Sequence, residues 1–135
     1  MKIVFYNNNI AKIFRTITGN EVFSIGPVVI TSLNESEISL GSYNHYVTHC
    51  RQWTEVTIVS FLAMISINGV YSVASTAILS MLMYYLIYLI EMLIRLVTNS
   101  DSSVSFETES KLSELDPTYT EKFHLFEWVK YLFKN

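Results

Sequence analysis

Asn44-His45-Tyr46-Val47-Thr48-His49-Cys50-Arg51-Gln52-Trp53-Thr54-Glu55 is the stretch on which the reading of this chain turns, because it runs without a break into an apolar tract from Val56 to Val97. On a helix, residues four apart share one face. His45 and His49 then present two imidazoles side by side, the arrangement that lets two side chains bind one metal ion. Gly41 and Asn44 stand just before the pair as turn and cap signals.

Working forward, the apolar tract is interrupted at Asn68-Gly69. Its second part, Val70 to Ile90, carries no formal charge over about 21 residues, which at about 1.5 Å each reaches the roughly 30 Å of a bilayer core. The first part, Val56 to Ile67, is about a dozen residues, a buried or re-entrant length. The simplest arrangement is a membrane helical hairpin turning at Asn68-Gly69. Arg51 precedes it and Arg95 follows it, with no Lys or Arg between, so both ends are expected in the cytoplasm and the membrane is expected to be an inner one. Tyr84, Tyr85 and Tyr88 suit an aromatic belt, and Glu91 and Arg95 are spaced to pair. The small residues Ser72, Ala74, Ser75, Ala77 and Ser80 suit close helix packing, against another subunit or the protein's own first leg.

Working backward, residues 2 to 6 read as a short strand broken by Asn7-Asn8-Asn9. Ile10, Ile13, Phe14 and Ile17 then fall at helical spacing, closed by Gly19-Asn20. From Glu21 to Thr31 the β-branched and aromatic residues rise around Gly26-Pro27, reading as two short strands or one bent one. Beyond the tract, Thr98 to Ser103 is a polar loop. Residues 107 to 116 fit a helix stopped by Pro117, and Tyr119 to Phe133 fits a terminal helix or part strand.

The expected fold is therefore α+β and mostly helical: short N-terminal strands, a His-bearing helix leading into a membrane hairpin, and C-terminal helices. It is read as one domain over 1–135, with a β-rich part at 1–44, the His helix and hairpin at 45–97, and an acidic and aromatic part at 98–135.

Composition agrees with a small polar part joined to a membrane part. Half of the residues are hydrophobic and 16% charged, with a mean hydropathy of +0.31. The net charge of −3 and the scattered Lys and Arg leave no basic surface for nucleic acid. Cys50 is the only cysteine, which excludes an internal disulfide and a thiolate cluster. The N-terminus, with one charge and a short apolar run, does not read as a secretory signal.

The His pair has the spacing of the H-E-x-x-H zinc hydrolases, in which a glutamate beside the first histidine serves as base. Tyr46 stands in that place. A phenol with a pKa near 10 donates a hydrogen bond but accepts a proton poorly at neutral pH, and a positioned base supplies roughly 10²–10⁴-fold of rate. A zinc site also needs a third protein ligand. Glu107 or Glu109 qualifies, since a two-legged excursion returns the chain to its starting surface, and His124 is a weaker choice.

Asn44-His45, His49, Gln52, Leu93-Ile94-Arg95-Leu96, Ser105-Phe106-Glu107-Thr108-Glu109 and Trp128-Val129-Lys130-Tyr131-Leu132, in this order and spacing over nearly the whole chain, resemble small membrane-associated minigluzincin-like proteins common in Bacteroidetes. The resemblance implies that His45, His49 and Glu107 hold a zinc ion. Lys111 replaces an aspartate that in related peptidases often orients a histidine ligand, which implies a looser metal. The expected function is that of a catalytically impaired metallopeptidase-like membrane protein, a subunit or adaptor of a membrane complex with a structural zinc. The alternatives are a metal-free membrane interaction protein and an active zinc peptidase with an atypical base. The expected partners are the lipid bilayer and other membrane subunits.

Overall fold

The computed structural model describes residues 3–68, 73–98 and 102–132. Gly69, Ser72, the loop residues 99–101 and Phe133 lie outside them. The described residues form an α+β, mostly helical structure with a small three-stranded sheet near the N-terminus. Contacts divide the chain into two compact units, 1–51 with 110–123 and 52–109 with 124–135.

In the first unit, β1 (Val4–Phe5) leads through Asn7, held at a φ of 50°, into α1 (Asn9–Thr18). Asn8 caps this helix, its side chain accepting from Ile10 N at 2.9 Å. Gly19 ends it at a φ of 77°, where a residue without Cβ costs least. β2 (Val22–Ile25) and β3 (Val28–Thr31) form an antiparallel hairpin in which Ile25 pairs with Val28. Its two-residue turn is Gly26-Pro27, and Gly26 supplies the positive φ that such a turn needs. β1 adds in parallel to β3, with Val4 opposite Val29, so the sheet order is β1-β3-β2. The two-strand reading of 21–31 is the one realised.

Val4, Val22, Val29 and Cys50 form the core of this unit, with Tyr43, Tyr46 and Val47 of the next helix packed on it. That helix, α2, spans Leu40–Asn68. It starts earlier than expected. Ser39, not Asn44, is the cap, its hydroxyl accepting from Ser42 N at 3.1 Å. Asn44 lies inside the helix, fully buried, and donates to the carbonyls of Ser113 and Asp116 while accepting from Thr120. Its side chain closes backbone groups where a later helix ends, a long-range task that outweighs its local preference for a cap. Gly41, read as a turn, is also helical, and a Cβ there would meet Glu114 O at 3.3 Å.

Burial pushes the Cys50 thiol up from 9.0 to about 12. Cys50 therefore packs as a small hydrophobe and is no nucleophile. Because folding favours its neutral form, this group lowers stability as pH rises from about 9 toward 12 and has no such effect below 9. The native protein should resist alkylation at pH 7.5 and take one label per chain once denatured. Ready labelling of the native state would contradict this burial.

In the second unit, residues 52–68 of α2 pack beside α3 (Val73–Val97). Gln52 meets Tyr84, Trp53 donates to Met81 O at 3.1 Å, and Met64 meets Ser80. Partner numbers fall along α3 as they rise along α2, the sense of a helical hairpin. Val56, Tyr84, Val104, Phe106 and Trp128 form the core. α4 (Ser105–Ser113) begins where the Glu91 carboxylate accepts from both Ser105 N, at 2.8 Å, and Ser105 Oγ, at 2.6 Å. Glu91 also takes Arg95 at 2.7 Å, the pairing its spacing predicts.

The C-terminal stretch differs from the expected α-helix or strand. It holds two 3₁₀ turns, Tyr119–Glu121 and Glu127–Tyr131. Phe126 between them takes a φ of 51°, which interrupts any continuous helix. Glu55 organises this segment, accepting from Phe126 N and from the Trp128 indole, both at 3.2 Å.

Candidate metal centre

His45 and His49 stand one turn apart on α2, their ring centroids 4.9 Å apart and near edge-on. His49 is buried and His45 partly so. Glu107 stands in the first turn of α4, where a carboxylate is favoured by the helix dipole even without a ligand. His45, His49 and Glu107 are a group that could hold a metal ion. Two imidazole nitrogens and a carboxylate oxygen are a donor set that zinc takes, leaving a fourth position open.

Glu107 and Glu109 were equivalent choices by chain return alone. They are two residues apart on one helix and so about 200° apart around it. Glu109 is fully buried, its carboxylate accepting from Gln52 Nε2 at 2.7 Å, while the same amide donates to Phe106 O at 3.0 Å. Gln52 thus fixes α4 through the residues on either side of Glu107. His124 is not in the group.

Glu114 is a partner of His45 that sequence reasoning missed. Its carboxylate meets His45 Nδ1 at 2.6 Å. A carboxylate on one ring nitrogen fixes the tautomer and leaves Nε2 for a metal, the supporting contact of most histidine ligands. Glu114 lies three residues beyond Lys111, past the end of α4, and is a carboxylate placed to orient the His45 ring. No spacing rule marks it, since the link joins residues 69 apart.

Tyr46, one position on from His45, packs its ring against His45 at 5.0 Å and lies on the first unit's core cluster. It also lines an open cavity of about 430 Å³ with Glu21, Val22, Leu33, Glu37 and Ser42. Two other carboxylates near the pair in sequence or space have partners of their own: Glu55 accepts from Phe126 N and the Trp128 indole, and Glu109 accepts from Gln52.

Comparison of the chain with family models, with curated proteins and with solved structures gives no match.

α3 is, among the described residues, the one helix long and apolar enough to cross a membrane. Its buried residues are Ser80, Tyr84 and Glu91, whereas Ile78, Leu82, Leu86, Leu89, Leu93 and Leu96 are exposed. α2 is longer, but its first half carries His45, His49, Arg51, Gln52 and Glu55, so only its second half is comparably apolar.

Proposed function

We propose that this chain is a membrane-embedded, metallopeptidase-like protein without peptidase activity, in which His45, His49 and Glu107 hold a structural zinc, and that it serves as a subunit or adaptor of a membrane complex. The carrying observation is the spaced His pair on α2 with Glu114 behind His45, in a group with Glu107 that could hold a metal ion. Zinc bound there would tie the His-bearing helix to α4; such a site contributes folding free energy directly. Tyr46 at the position of the base argues against peptide hydrolysis, and its ring contributes to the core instead.

The polarity of α3 supports the membrane placement. A helix in water buries its leucines, whereas one in lipid shows them outward and keeps polar groups inside, paired with one another. The Glu91–Arg95 pair, with both side chains about 10% exposed, follows the second pattern. The second half of α2 then forms the other, re-entrant leg, with both ends cytoplasmic. Exposed Ala74 and Ser75 near the start of α3 leave a small-residue surface for a neighbouring helix.

The His45–Glu114 pair favours a second reading, a metal-free interaction protein, since it gives His45 a partner of its own. Metal analysis of detergent-purified protein separates the two. The expected result is about one zinc per chain and no chelator-sensitive peptide cleavage. A metal-free protein whose unfolding ignores added zinc would establish the second reading, and chelator-sensitive cleavage would sink the pseudoenzyme.

A further inference from the structure

The His45–Glu114 contact is short for a pair whose acid reaches solvent. Its atoms stand 2.6 Å apart, yet the Glu114 side chain is 45% exposed. An exposed carboxylate gains little from one partner, because water screens the attraction and the flexible side chain loses rotamer freedom on pairing. Glu114 also lies beyond Ser113, the last residue of α4. Something other than the carboxylate itself must set its place.

Two residues of α2 hold the backbone that carries it. Asn44 Nδ2 donates to Ser113 O at 3.4 Å and to Asp116 O at 2.9 Å, the carbonyls one residue before Glu114 and two after. Thr120 Oγ1 donates to Asn44 Oδ1 at 3.1 Å. Carbonyls only accept, so this arrangement fixes which way the amide points. Asn44 is fully buried, and in such surroundings these bonds are stronger than the same bonds in water. Gly41 stands one turn before His45 on the same face of α2. A Cβ there would lie 3.3 Å from Glu114 O and 3.6 Å from Glu114 Cβ, so the absent side chain lets the backbone at 114 settle against the helix. All of these residues belong to the first unit.

We propose that Asn44 and Gly41 are positioning residues of the metal centre: they fix the backbone that carries Glu114, and so put its carboxylate on His45 Nδ1 and keep the proton on that nitrogen. With Nδ1 protonated, Nε2 carries the lone pair that a metal ligand needs. The helix that bears the histidine thereby also sets the acid that orients it. The inference rests on the zinc reading given above, and one of its two readouts needs no metal.

The test uses the full chain in detergent with isotope-labelled histidine, each variant being checked for a cooperative unfolding transition. In the zinc-free protein with the ring neutral, the nitrogen shifts of His45, assigned by their loss in His45→Gln, should report the Nδ1–H form. Asn44→Ala and Gly41→Ala should each move the ring toward the Nε2–H form. Zinc affinity, read by competition with a chelator, should fall about 10–100-fold in Asn44→Ala, the size expected for losing Glu114 itself. The fall in Gly41→Ala should be several-fold. In a Glu114→Ala background neither substitution should change the affinity by more than about twofold, because the group they act through is gone.

An affinity loss of equal size in both backgrounds, or an unmoved His45 ring in folded Asn44→Ala, overturns the positioning role. Should Asn44→Ala not fold, Gly41→Ala decides: alanine is the better helix former, so the fold is kept while the contact with Glu114 changes, and an unmoved ring there overturns the proposal. A wild type that binds no zinc, but whose His45 ring moves in both variants, upholds the hold on Glu114 and sinks the zinc reading.

Discussion

Glu91→Ala is expected to destabilise the protein by about 3–5 kcal/mol, the cost of removing one partner from a buried ion pair. Glu91 is buried and accepts from Arg95 Nε at 3.0 Å and Nη2 at 2.7 Å, and from the amide and hydroxyl of Ser105. One substitution thus takes the carboxylate away from a guanidinium 11% exposed and removes the acceptor at the start of α4. Arg95 would keep Ser102 and the Tyr131 carbonyl, which are neutral and do not balance its charge. Glu91→Gln should fall between, since it retains a carbonyl for Ser105 but no charge. Replacing both partners, Glu91→Leu with Arg95→Met, should recover much of the loss because no unbalanced charge remains. Denaturant unfolding in detergent measures all three. A loss under about 1 kcal/mol for Glu91→Ala would mean that water reaches the pair.

His49→Ala is expected to abolish zinc binding, taking the content from about one ion per chain to a trace. It removes one of three donors, and the one that is most buried. Glu107→Gln should act similarly, because a neutral amide oxygen is a weak zinc ligand and the site loses its negative charge. Glu114→Gln should be milder, about 10–100-fold in affinity, as for other residues that orient a histidine ligand. Glu109→Gln discriminates: it should leave the zinc content unchanged while weakening the contact with Gln52. Zinc retained by His49→Ala, or lost from Glu109→Gln and kept by Glu107→Gln, would place the metal elsewhere. Both histidines also touch α2's own neighbours, so unfolding midpoints without metal should accompany each measurement.

The local rules held where the determining groups lie within a few residues. The stop at Gly19, the two strands around Gly26-Pro27 and the Glu91–Arg95 pair are all interactions over three to four positions. They failed where a residue with a local preference met a distant demand. Asn44 prefers a cap, yet two carbonyls some seventy residues away hold it inside a helix. The aromatic run after Tyr119 has helical spacing, yet Trp128 is drawn to Glu55 and the backbone turns at Phe126.

The opening stretch divides in the same way. The sequence by itself determined that His45 and His49 share a face and that Tyr46 occupies the position where the H-E-x-x-H pattern has its glutamate, because the spacing on one helix is fixed by the chain alone. Only the tertiary structure distinguishes Glu107 from Glu109, because it commits the buried Glu109 carboxylate to Gln52 and leaves Glu107 in the group that could hold a metal ion. It also set Glu114 against His45, and it turned the stripe of α1 outward by burying Ala11. Periodicity marks an apolar face; what covers that face depends on packing elsewhere in the chain and on the solvent it meets.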